Sequence, residues 1–228
     1  MTTEGITTWE RLFVRYGFMA EREGNGFGFR AENRANREFF GRICTVMEWS
    51  DCFDERTLVF RPPADGMEEE RFREAMDKAR HGRGDFPGEP DRIELSCLDA
   101  YIAGIVRWLT YAGIRTGQSC DGHGRRPASL ATERANAADI PLLDAVLALV
   151  SAGRWRLTYS YDATGGELTV RPSTAEMRER ADRGRLRERT YEREWLLDVA
   201  ETLYARRDTL RDLVARMRGV AAAGEERQ

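Results

Sequence analysis

The chain reads as an α+β protein: a mostly antiparallel sheet with helices on one face, followed by a long C-terminal helix. Two observations predict this. Between Ser96 and Val170, helical and two-residue periodicities follow one another as helix, strand, strand, helix, strand, strand. Beyond residue 195, Leu196, Leu203, Leu210 and Met217 recur every seven residues. Val199 and Leu213 lie between them, and Arg206 interrupts the second set.

Taken in order, residues 8–16 form a short helix. A hairpin from Phe18 to Glu32 follows, with Gly24-Asn25-Gly26 as its turn. Asn33 is placed to cap a helix whose apolar positions are Phe39, Phe40, Ile43, Val46 and Met47. Thr57–Phe60 reads as a strand stopped by Pro62-Pro63, and a charged helix covers 67–80. The Gly/Pro-rich stretch 81–91 marks the main internal boundary. Ser96 can cap a helix over 98–112, with a stripe of Tyr101, Ile102, Ile105, Val106, Trp108 and Leu109, ended by Gly113. Ile114–Ser119 and Ala128–Thr132 are strands, and Asp139 and Pro141 open a helix that runs to Val150. Trp155–Tyr161 and Glu167–Val170 alternate as a hairpin, and the chain is helical from Thr174 onward. Three regions result: 1–80, a helix and hairpin region; 92–172, the central α+β domain; and 173–220, the helical end.

Composition excludes several function classes. Hydrophobic residues at 41% suffice for a core, and a net charge of −3 argues against a uniformly basic coat for nucleic acid. Lys78 is the only lysine, so the cationic surface is built of arginine, whose planar fork suits phosphate and carboxylate. No apolar run is long enough to span a membrane, and the N-terminus lacks the pattern of a signal peptide. A cytoplasmic location is therefore expected. In that reducing setting, Cys44, Cys52, Cys97 and Cys120 are expected to be free thiols or metal ligands.

Chemistry is densest at Gly117–Arg126, Gly-Gln-Ser-Cys-Asp-Gly-His-Gly-Arg-Arg. A strand running into a glycine turn displays its last side chains at a sheet edge. Cys120 and His123 are three residues apart, close enough to meet across the turn. One reading makes Cys120 a nucleophile with His123 as acid/base and Asp121 beside it. Another makes Cys120 and His123 a zinc-binding pair, for which Cys97 is the nearest further ligand and Cys44, Cys52, His81 and Asp121 follow. Ser119, Gly122, Gly124, Arg125 and Arg126 would then surround the substrate. The paired guanidinium groups suit a phosphate or carboxylate, so an anionic small molecule or a nucleic acid is the expected partner. A turn with a purely structural role is the third reading. Gly24-Asn25-Gly26-Phe27-Gly28 lacks the Lys-Ser/Thr and the following helix of a phosphate loop, and so reads as a hairpin turn. The Arg/Glu pattern at 176–194 fits a solvated helix face, and Arg171, Arg178, Arg180, Arg183, Arg185 and Arg187 offer a basic stripe toward nucleic acid whose potential the interleaved glutamates cut.

Ser119-Cys120-Asp121-Gly122-His123, after a helix and Ile114-Arg115-Thr116, resembles a segment of small uncharacterised bacterial and phage proteins with a Ser-Cys-x-Gly-His turn. More distantly it is similar to the wybutosine-synthesis tRNA methyltransferase family, which places a Ser-Ser-Cys-x-Gly-Arg turn after a comparable helix and strand. Ser119, Cys120 and Gly122 match that family. His123 stands where the family has arginine, and the nearest arginine is Arg125. The resemblance covers about 30 residues and implies S-adenosylmethionine, but the departure at His123 argues against that cofactor. The contrasting functional class is a non-catalytic interaction protein. Its turn would be structural or zinc-stabilised, and residues 195–217 would mediate homo-oligomerisation.

Overall fold

Trp9, Leu12, Phe13 and Tyr16 recur at helical spacing and all four are buried, which sets the inward face of α1 (Thr3–Arg15). This is a computed structural model of the 228-residue chain. It describes residues 3–64, 67–80, 93–117, 119–125, 128–133, 139–150, 155–161, 167–174 and 193–225. The chain divides into two compact units, Met1–Gly104 and Ile105–Gln228.

The first unit is organised around aromatic rings. Phe13 meets Trp9, Phe18, Phe27, Phe29, Phe40 and Phe60 at centroid separations between 5.1 and 6.3 Å. Most of these pairs are edge-on, the geometry the ring quadrupole favours. The predicted hairpin is present as β1 (Glu21–Glu23) and β2 (Gly26–Gly28), with Glu23 opposite Gly26 and Gly24 at φ 58°. Two short strands, β3 (Phe53–Asp54) and β4 (Val59–Phe60), complete a four-stranded antiparallel sheet in the order β1-β2-β4-β3. A Cβ on Gly26 would lie 2.5 Å from the carbonyl oxygen of Phe60, so the approach of β2 to β4 requires glycine there.

Asn33 caps α2 (Arg34–Val46) as its position predicts, accepting from the backbone N–H of Asn36 at 2.9 Å. Below the cap lies a buried polar clamp. Glu32 accepts from Met19 N, Asn33 N and Asn36 Nδ2, while Asn36 Oδ1 accepts from Leu95 N and its Nδ2 also donates to Ile93 O. A buried carboxylate is tolerable here because donors surround it. The clamp fixes the 3₁₀ turn Leu95–Cys97, and with it Ser96, which lies inside that turn rather than capping the helix that follows. The charged helix α3 (Glu69–Ala79) buries Phe72, Ala75, Met76 and Ala79. Stretch 81–91, with His81, lies outside the described residues.

Helix α4 (Ala100–Tyr111) begins in the first unit and continues into the second. All six residues of its predicted stripe are buried, and so are Ala103 and Arg107, so it is enclosed on more than one face. In the second unit, β5 (Ser119–Cys120), β6 (Ser129–Glu133), β7 (Trp155–Tyr161) and β8 (Glu167–Thr174) form an antiparallel sheet in the order β5-β6-β8-β7. The strand predicted over Ile114–Ser119 is thus shorter than expected. Ile114–Gly117 carries no ladder, and the described pairing is Ser119 with Leu130 and Cys120 with Ser129. Helix α5 (Asp139–Val150) packs against β7, and its Leu142, Leu143, Val146 and Leu147 are buried. The fold is α+β.

The C-terminal helix is two consecutive helices, α6 (Glu194–Ala205) and α7 (Arg207–Glu225), separated at Arg206, the residue that breaks the seven-residue pattern. Leu196, Val199, Leu203 and Leu210 of that seam are buried within a single chain, whereas Leu213 is half-buried and the adjacent Val214 is buried in its place; the Tyr204 ring packs on Trp108 at 4.8 Å. Met217 stays exposed. Residues 175–192, including Arg178, Arg180, Arg183, Arg185 and Arg187, lie outside the described residues.

Three helices end in one way. After α1, α2 and α4 the chain turns through a left-handed residue, namely Gly17 (φ 79°), Glu48 (φ 62°) and Gly113 (φ 91°). In each case the next N–H reaches back six residues inclusive: Phe18 to Phe13 O, Trp49 to Cys44 O, and Ile114 to Leu109 O. Only Glu48 carries a Cβ at this position. Replacing Glu48 with glycine is expected to raise stability by up to about 1 kcal/mol, read as a higher midpoint in urea with an unchanged slope. Truncation after Thr190 removes the buried seam. It is expected to unfold the second unit, seen as lost tertiary circular dichroism, rather than merely to change the oligomeric state.

Candidate functional site

Gly122 (φ 80°), His123 (φ 52°) and Gly124 (φ 67°) are three successive left-handed residues. Two of them pay no Cβ penalty, and His123 is of a residue type enriched in that region. The result is a tight reversal directly after β5, closed by the N–H of Arg125 donating to Gly122 O at 3.0 Å. It returns the imidazole over the end of the strand it has just left.

Asp121 fixes this turn. Its side chain is 3% exposed. Oδ1 accepts from the backbone N–H of His123 at 2.7 Å, and Oδ2 accepts from Arg193 at 2.9 Å. The same Oδ1 lies 3.5 Å from His123 Nδ1. On the other side of the ring, His123 Nε2 lies 3.5 Å from Cys120 Sγ, and Gly122 N–H donates to that sulfur at 3.3 Å. Cys120, His123 and Asp121 therefore form a compact cluster, with the sulfur near one ring nitrogen and the carboxylate near the other. Their ligand-type atoms all lie within 4.8 Å of one another. The His123 side chain is 60% exposed and Cys120 is half-buried, so the cluster opens to solvent.

The remaining predicted residues divide. Gly122 and Gly124 are buried in the turn, and Arg125 is exposed at its end. Ser119 directs its hydroxyl to Gly117 O at 3.2 Å. Arg126 lies outside the described residues. Cys97 belongs to the first unit, where its sulfur lies 3.8 Å from Glu94 Oε2. Cys44 is buried and Cys52 half-buried in the first unit. Burial pushes both thiols up, and each is raised further by a neighbour, Cys52 and Asp51 respectively.

Sequence reasoning missed Arg193. It stands immediately before α6, 72 residues from Asp121, and no spacing rule connects two positions so far apart. Opposite charge was the only available signal.

No protein-family model, no curated protein and no solved structure matches the chain. No described helix is long and apolar enough to cross a membrane.

Replacing Asp121 with alanine leaves Arg193 and the His123 N–H without their acceptor. The expected cost is about 1–3 kcal/mol, measured by denaturant unfolding. Asp121→Asn keeps one acceptor and is expected to cost less.

Proposed function

We propose that this is a cytosolic protein that binds and processes an anionic ligand, a nucleotide or nucleic-acid phosphate, at a site centred on Cys120 and His123. One observation carries the reading: Sγ of Cys120 faces Nε2 of His123, while Nδ1 of the same ring faces a buried carboxylate, each at 3.5 Å. In that order His123 takes the Sγ proton, Asp121 orients the ring and supports its positive charge, and Cys120 is the nucleophile. The N–H of Gly122 directed at the sulfur favours its charged form. Exposed Arg125 at the end of the turn, with Arg126 next in sequence, supplies the attraction for a negative ligand.

The competing reading is a structural turn. It is favoured by one observation, that both Asp121 oxygens are already engaged, by the His123 N–H and by Arg193.

Alkylation by iodoacetamide at neutral pH, mapped cysteine by cysteine with mass spectrometry, separates the two. Raised Cys44 and Cys52 thiols stay protonated and serve as slow references. Cys120 is expected to react about tenfold faster in the natural protein than in His123→Asn, a substitution that tolerates the left-handed backbone. Nucleotide or inorganic phosphate is expected to slow it further in the natural protein and not in Arg125→Ala. A Cys120 rate indifferent to His123→Asn would leave only the structural turn.

A further inference from the structure

The sulfur-to-nitrogen separation at the turn has a second chemical meaning. Zinc holds thiolate sulfur at about 2.3 Å and imidazole nitrogen at about 2.0–2.1 Å in a tetrahedron, which sets the two donors about 3.5 Å apart. Cys120 Sγ and His123 Nε2 are 3.5 Å apart. We propose that Cys120 and His123 form a two-point chelate for a thiophilic divalent cation of the zinc type, and that the bound ion masks the Cys120 sulfur.

Three features of this chain support the chelate. The left-handed run Gly122–His123–Gly124 fixes the imidazole on the same side as the thiol, so little ordering remains to be done when an ion arrives. Asp121 lies 3.5 Å from Nδ1, the nitrogen the ion does not use, in the carboxylate–histidine–metal order that holds a ligating ring in place. Arg193 engages the other oxygen of Asp121, which leaves that carboxylate as a support to the ring rather than a principal ligand. One sulfur and one nitrogen donor select a borderline-soft cation over magnesium or calcium, which prefer oxygen.

Solvent exposure of the ring opens the site to an ion from bulk water. Binding replaces the thiol proton, which passes to buffer, with the metal. The two remaining tetrahedral positions are open to water or to an anion. The chelate itself stands on the geometry alone. Its regulatory consequence, a metal-reversible block on the nucleophile, rests on the thiol chemistry proposed above.

The test uses the full chain, reduced and stripped with chelator. Cobalt(II) serves as the spectroscopic probe, because thiolate ligation gives an intense near-ultraviolet charge-transfer band. The band is expected in the natural protein, is removed by one equivalent of zinc, and is lost in Cys120→Ser. In His123→Asn the apparent affinity is expected to fall about tenfold or more. Zinc is expected to slow iodoacetamide labelling of Cys120 about tenfold, with chelator restoring the rate. Absence of the thiolate band, or zinc protection undiminished in His123→Asn, overturns the chelate. Its failure is distinguishable from that of the thiol reading. A metal-free Cys120 that is fast but unprotected by zinc sinks the chelate alone. A slow Cys120 with a zinc-displaceable cobalt band sinks the thiol reading and leaves the chelate standing.

Discussion

The buried carboxylate of Asp121 is the interaction on which the site depends. One oxygen closes the left-handed turn through the His123 N–H, and the other holds Arg193 at the threshold of α6. A carboxylate only 3% exposed is costly unless its acceptors are filled, and here both are. That demand fixes the imidazole. With its backbone N–H and Nδ1 both directed at Asp121, the ring presents Nε2 to the thiol of Cys120. It also ties a local turn to a helix far along the chain, so disturbance at α6 can reach the site.

Around this point the second unit supplies rigidity by ordinary means. The sheet β5-β6-β8-β7 sets the position of Cys120 through its pairing with Ser129. The seam of α6 and α7 is buried rather than displayed, with Val214 lying 3.4 Å from where a Cβ on Gly113 would sit. Leu196, Leu203 and Leu210 therefore stabilise the unit that carries the site, and the seven-residue pattern reflects a core-facing stripe. In the first unit, close aromatic packing around Phe13 and the clamp of Glu32 and Asn36 perform the same task separately.

Much of this was legible in the sequence, for identifiable reasons. Asn33 as a cap, Gly24-Asn25 as a turn and Gly113 as a helix stop follow from local backbone chemistry. Each is found where residue type alone places it. The turn at Cys120–Gly124 was legible because glycines flank a histidine within reach of a thiol. Other features depend on contacts distant in sequence and were not legible. Arg193 pairs with Asp121 across 72 residues. Strand β3 is two residues long and exists only because β4 pairs with it. Ser96 looks like a cap, yet Asn36 holds the preceding Leu95 in a 3₁₀ turn and the helix starts later. Arg206 interrupts an apolar repeat, and only the fold shows that a break between two helices follows from it.

The site stands or falls on Asp121 orienting His123 toward Cys120. Nitrogen-15 NMR of the histidine rings tests it most directly, since the chain has only two histidines and His123→Asn assigns the signals. The His123 ring is expected to carry a proton on Nδ1 directed at Asp121, with shifts that move on Asp121→Asn and again on Cys120→Ser. A ring with the tautomer balance of free histidine, unmoved by either substitution, would contradict it.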